Sequence, residues 1–162
     1  MKIKSIRAVN VNIARVLPKT KPRRPGWNAN APRALPLNKY PEFSTAHGWM
    51  PGPDAQREVW VQATAEDGAW GLGLCSFGEP VASLVDYHFA PLFEGRDCMA
   101  LEYLNDAMWR STQRFGAGGV ATVAQSGIDL ALWDLKGKLL GQPVYSLFGR
   151  PRAGEDPAIS HL

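Results

Sequence analysis

The stretch Ala124-Gln125-Ser126-Gly127-Ile128-Asp129-Leu130-Ala131-Leu132-Trp133-Asp134-Leu135-Lys136-Gly137-Lys138 decides how the rest of the chain is read. Nothing in it breaks a helix until Gly141 and Pro143, so it predicts one long helix over Val120 to Leu140. Asp129 and Asp134 are five residues apart, about 140° around a helix, and cannot converge on one metal ion. They read as structural. Asp134 precedes Lys138 by four residues and can pair with it, while Leu130 and Trp133 are expected to pack on neighbouring elements. Lys136 and Lys138 point about 200° apart, and both are expected to be solvated near the helix C-terminus, where a cation suits the dipole.

Outward from this helix the periodicity changes twice. Gly116-Ala117-Gly118-Gly119 separates it from an amphipathic stretch at about Met99 to Arg114, with Leu101, Leu104, Met108 and Phe115 on one side. Before that, Glu79-Pro80 opens a segment in which Val81, Leu84, Val85, His88 and Leu92 share helical spacing, with Gly95 beyond its end. His88 falls on the apolar face and reads as a core histidine with a hydrogen-bond partner. Further back the period becomes two. Val59, Val61, Ala63 and Ala65 alternate with Trp60, Gln62 and Thr64; after Glu66-Asp67-Gly68, Trp70, Leu72 and Leu74 alternate with Gly71, Gly73 and Cys75. That is a hairpin. Ile3, Ile6, Val9, Val11 and Ile13 suggest a first strand over about Lys2 to Ala14, and a short helical turn is expected at Val144 to Phe148. The order β, long loop, ββ, ααα predicts an α+β domain, a three-stranded antiparallel meander beside a helical layer.

Composition narrows the function classes. With 162 residues, 45% of them apolar, the chain can bury roughly 68–70% of its unfolded surface, which excludes a disordered or disulfide-built protein. No apolar run approaches the ~20 residues of a membrane span, and a cytoplasmic location is expected. Cys75 and Cys98 lack metal-ligand spacing and read as ordinary thiols. The net charge of +3 hides an asymmetry: residues 1 to 41 carry ten Lys and Arg and no acid, and the remainder carries eight bases and all fifteen acids. Eight of the thirteen prolines fall between Pro18 and Pro53, so the segment from Arg15 to Asp54 reads as a large, basic, irregular surface loop.

The helix quoted first, together with Pro143-Val144 and Leu147-Phe148-Gly149, resembles a signature of the mandelate racemase and muconate lactonizing enzyme group of the enolase superfamily. The preceding meander, Gly-rich turn and helices resemble that group's N-terminal capping domain. Trp27 and the run Leu35-Pro36-Leu37-Asn38-Lys39-Tyr40-Pro41-Glu42-Phe43 are similar to the acid-sugar dehydratases, those of rhamnonate type in particular. The resemblance implies a capping domain over residues 1–149, with 150–162 a linker and the possible first strand of a barrel. It also implies a parent enzyme, a lyase most like an acid-sugar dehydratase or else a racemase or cycloisomerase, that binds Mg²⁺ through acidic residues of a C-terminal (β/α)₈ barrel and abstracts the proton next to a carboxylate. Only thirteen residues follow Gly149, whereas such a barrel takes roughly 200. The barrel is therefore expected to lie outside these 162 residues, with no catalytic residue and no metal ligand among them and no activity in this chain alone.

The resemblance assigns two lid stretches, about Lys19 to Asp54 and Cys75 to Pro80. A basic, aromatic lid suits a small anionic acid sugar, since cations attract the carboxylate and indole faces pack on sugar rings. The candidate substrate contacts are Trp27, Asn28, Arg33, His47 and Trp49. Homo-oligomerisation is expected because a cap without its barrel leaves apolar surface open. Two other classes stand beside this one. One is a non-catalytic interaction module. The other is a polyanion-binding arm using Lys19, Lys21, Arg23, Arg24 and Arg33, although no nucleic-acid signature accompanies those bases and no nucleic-acid partner is expected.

Overall fold

The computed structural model describes residues 1–11, 36–41, 58–116 and 118–149. Three antiparallel strands, β1 (Ile3–Val9), β2 (Val59–Ala65) and β3 (Trp70–Cys75), form one sheet in the order β1-β2-β3. The hairpin has the predicted limits. β1 ends at Val9, earlier than expected, and the remainder of the expected strand, from Asn12 to Ala14, lies outside the described residues. Within the long connection, Pro36–Lys39 forms a single 3₁₀ turn.

The helices follow in the expected sequence. α1 (Gly78–Ser83) runs into a π-helical segment (Leu84–Phe89) and then α2 (Ala90–Phe93); after these come α3 (Leu101–Ser111), α4 (Val120–Leu140) and a short α5 (Val144–Leu147). The π turns correct the predicted face of the first helix. Val81, Val85, Phe89 and Phe93 are buried at intervals of four, whereas Leu92 is 44% exposed and His88 only half-buried. Pro91 gives the physical reason. It has no N–H to continue the α ladder and its ring crowds the carbonyl four residues back, so the backbone widens ahead of it and the apolar face slips by one residue. Phe115, expected on the buried side of α3, lies beyond its end and is exposed, as is Leu130 on α4.

α4 packs across the sheet through Ala124, Ile128, Ala131, Leu132 and Leu135, meeting Ile6, Val61, Ala63 and Cys75 in one core with Val85, Phe89, Leu104 and Met108. Alternation in β3 fixes two faces, and the inner one is glycine. A Cβ on Gly73 would lie 2.0 Å from the Gly127 carbonyl oxygen, and one on Gly71 would lie 2.1 Å from that of Ala131. The helix backbone rests directly on the strand. Trp70 and Leu74 consequently point away from the core, each more than 40% exposed.

Candidate functional site

Register fixes where the two stretches expected to form a lid begin. Val9 pairs with Trp60, and Val59 pairs with Cys75, so the connection from β1 to β2 and the segment after β3 both leave from the same end of the sheet. Phe77 sits at the root of the second stretch. It adopts the left-handed conformation, φ 73° and ψ 23°, with Gly78 at φ 55° behind it, while the Phe77 ring packs on the core. Such a backbone costs a non-glycine residue about 1–2 kcal/mol, and anchoring of the ring offsets it.

A notch of about 140 Å³ opens at this end, walled by Val9, Glu58, Gly78, Glu79, Ala82 and Asp86. Its carboxylates do not form a metal site: Asp86 Oδ1 accepts the Ala8 N–H at 2.8 Å, and among the described residues no group of three or more His, Cys, Asp or Glu is arranged to hold a metal ion. A wider groove of about 510 Å³ lies between α3 and α4, floored by Leu101, Trp109 and Trp133. There Asp129 accepts from Asn105 at 3.0 Å and Asp106 pairs with Arg110 at 2.7 Å, so these polar groups serve the helix pair itself.

The five lid candidates, Trp27, Asn28, Arg33, His47 and Trp49, lie outside the described residues. The residues singled out on the long helix are all placed. Asp134 pairs with Lys138 at 2.7 Å, as its spacing predicts, and also accepts the Leu72 N–H at 2.8 Å. Lys138 is not simply solvated: its ammonium donates to the Trp70 carbonyl at 3.0 Å and lies 4.1 Å from the centre of the Trp70 ring. Lys136 is half-buried and donates to the Met99 carbonyl at 3.4 Å. Trp133 packs on Phe148, with ring centres 4.4 Å apart. His88 Nε2 lies 3.2 Å from Ser111 Oγ, which donates to the Met108 carbonyl, so the imidazole is the donor of that contact. Burial pushes the Cys75 thiol up to about 11 and raises Cys98 as well; neither is a nucleophile at neutral pH. Asp97 is held below the usual carboxylate range by the Met99 N–H and the N-terminal ammonium.

Sequence reasoning missed Gly71 and Gly73 as the contact surface for α4. Two glycines on one face of a strand, with Gly127 in the helix that follows, were the available signal.

At the end of the sheet from which both stretches leave, Phe77 and Gly78 turn the chain, and Glu58, Glu79 and Asp86 wall the notch. Comparison with known proteins gives the family. Residues 44–149 match the defining pattern of the mandelate racemase / muconate lactonizing enzyme N-terminal domain. The chain belongs to this family. L-Rhamnonate dehydratase from Saccharopolyspora erythraea is 38% identical over 118 residues, which are 73% of this chain and 30% of that protein. The crystal structure of L-rhamnonate dehydratase from Gibberella zeae superposes with a TM-score of 0.71 at 30% identity, covering 91% of this chain and 34% of that one. A mandelate racemase/muconate lactonizing protein from Paracoccus denitrificans, complexed with magnesium, gives a TM-score of 0.55 at 40% identity over 59% of this chain and 27% of that one. The chain thus spans about 30% of the length of the curated relatives it matches. The α+β meander with its helical layer is the N-terminal fold of the family. No helix of the described residues is long and apolar enough to cross a membrane.

Proposed function

We propose that residues 1–149 are the capping, substrate-specificity domain of a magnesium-dependent acid-sugar dehydratase that removes the proton next to a carboxylate. The observation that carries this reading is coverage. The Gibberella dehydratase matches 91% of the chain at a TM-score of 0.71, whereas the Paracoccus protein matches 59% at 0.55. In this reading the chain's own work is binding and enclosure. Arg33 and the neighbouring bases draw in the substrate carboxylate, Trp27 and Trp49 pack on the carbon skeleton, Asn28 and His47 bond hydroxyls, and the segment hinged at Phe77 closes beside them. Magnesium and the base belong to a barrel outside the described residues, so the isolated chain turns nothing over. Homo-oligomers, in the cytoplasm, complete the proposal; the exposed Trp70, Trp109 and Phe148 side chains favour association.

The test is a chimera in which residues 1–149 replace the matching segment of the Saccharopolyspora enzyme, assayed for magnesium-dependent loss of water from L-rhamnonate and related acid sugars. Turnover is expected, with Arg33→Ala and Trp27→Ala raising KM. A folded chimera inactive on every six-carbon acid sugar would refute the reading, and so would turnover by the purified 162-residue chain alone.

A further inference from the structure

The two outer edges of the sheet are closed in the same way, by an acid–base pair that grips the edge backbone. On β3, Asp134 Oδ2 accepts the Leu72 N–H at 2.8 Å, Lys138 Nζ donates to the Trp70 carbonyl at 3.0 Å, and the two side chains meet at 2.7 Å. On β1, Glu94 Oε1 accepts the Ile6 N–H at 3.3 Å, Arg7 Nη1 donates to the Ile6 carbonyl at 2.6 Å, and this pair also meets at 2.6 Å. Asp86 takes the next outward donor, Ala8 N–H, at 2.8 Å. Carboxylates thus stand where the carbonyls of a further strand would be, and bases stand where its N–H groups would be. The start of β1 is closed by backbone instead, Ile3 exchanging bonds with Arg96 and Gly95, each at 2.8 Å.

Ion pairs this exposed contribute little to folding stability; the Lys138 and Asp134 side chains are 45% and 36% exposed. Their position suits another task. The edge segment Trp70-Gly71-Leu72-Gly73-Leu74-Cys75 has no charge and no proline, and its outer face carries Trp70 and Leu74 in the open. An uncharged, apolar edge with free N–H and C=O groups is a template for another strand.

We propose that the Asp134–Lys138 and Glu94–Arg7 pairs are edge seals, and that the partner the first one excludes is β3 of a second copy of this chain. The test compares Lys138→Met and Asp134→Leu/Lys138→Met with the parent by light scattering, thioflavin T fluorescence and the infrared band of intermolecular strands, with circular dichroism reporting the fold. Opening the seal is expected to shift the protein to larger species than the parent's and raise the thioflavin signal. Adding Leu72→Pro to the double variant is expected to reverse both changes, because proline has no N–H to offer and is tolerated on an edge strand. Lys138→Met keeps Asp134 in place and serves if the double variant does not fold. Variants that keep the parent's association state would overturn the proposal. So would faster association on adding Leu72→Pro, since that outcome signals general unfolding in place of pairing through β3.

Discussion

Gly73→Ala is the most searching test of how this domain is held together. The added carbon would sit 2.0 Å from the Gly127 carbonyl oxygen and 2.7 Å from the Ala131 nitrogen, against the 3.0 Å below which Cβ contacts are essentially never seen. Both obstacles are helix backbone, so no side chain can shrink to make room and α4 must retreat by about an ångström. A gap of that size forfeits a quarter to a half of each dispersion contact across it. Ile128, Leu132 and Leu135 are buried on this helix, each worth roughly 2 kcal/mol, so their loss comes to about 1.5–3 kcal/mol. Lengthening the Asp134 bond to the Leu72 N–H adds about 1 kcal/mol. A total of about 2.5–4 kcal/mol approaches the ~5 kcal/mol at the low end of domain stability. Urea titration followed by circular dichroism measures it. Gly118→Ala is the control, for that site has open space around it and no unusual φ, and is expected to change stability by less than about 0.5 kcal/mol. A Gly73→Ala protein within 1 kcal/mol of the parent at unchanged m-value would refute the close-approach argument.

Two further perturbations probe a buried thiol and the end of α4. Cys75 is neutral in the fold with its thiol raised from 9.0 to about 11, so its contribution is present below about pH 9 and is lost as the pH climbs towards 11. Two units correspond to about 3 kcal/mol. Cys75→Ala should flatten the fall of stability between pH 9 and 11, and an unchanged slope would exclude the buried thiol as its source. Gly141 ends α4 at φ 61° with nothing near its would-be Cβ, while the Gln142 N–H bonds the Gly137 carbonyl at 2.9 Å. Gly141→Ala therefore meets strain alone and should cost about 1–2 kcal/mol, with Gly141→Asn costing less. Equal melting temperatures for all three proteins would contradict this.

What the sequence revealed depended on whether the signal was local. The hairpin and the limits of α4 were legible because alternation, Gly141 and Pro143 act within a few residues. The phase of the first helix was not, since Pro91 inserts a wide turn and hands the buried positions from His88 and Leu92 to Phe89 and Phe93. In β3 the larger apolar side chains, Trp70 and Leu74, fall on the face that points outward, and the close approach of the α4 backbone is what turns the glycines inward. The proposed capping role came through resemblance, because among the described residues no group of three or more metal-ligating side chains marks a site.

The segment that marks the family so clearly is therefore a scaffold signature. Gly127 leaves room for Cys75, whose sulfur would lie 2.7 Å from an added Cβ, and Gly137 lets the chain turn back so that Val144 packs beside it. Asp134 and Lys138 hold the outer edge of β3. Each of these contacts fixes the strand or helix around which the domain is assembled, and none presents a group to solvent for reaction. β3 runs directly into Phe77, which holds a positive φ only two residues beyond Cys75. Asp134 is thus joined through the Leu72 N–H to the strand that leads into this turn. In the proposed function, a change at Asp134 would loosen the backbone at the root of the second lid stretch while leaving every lid residue untouched.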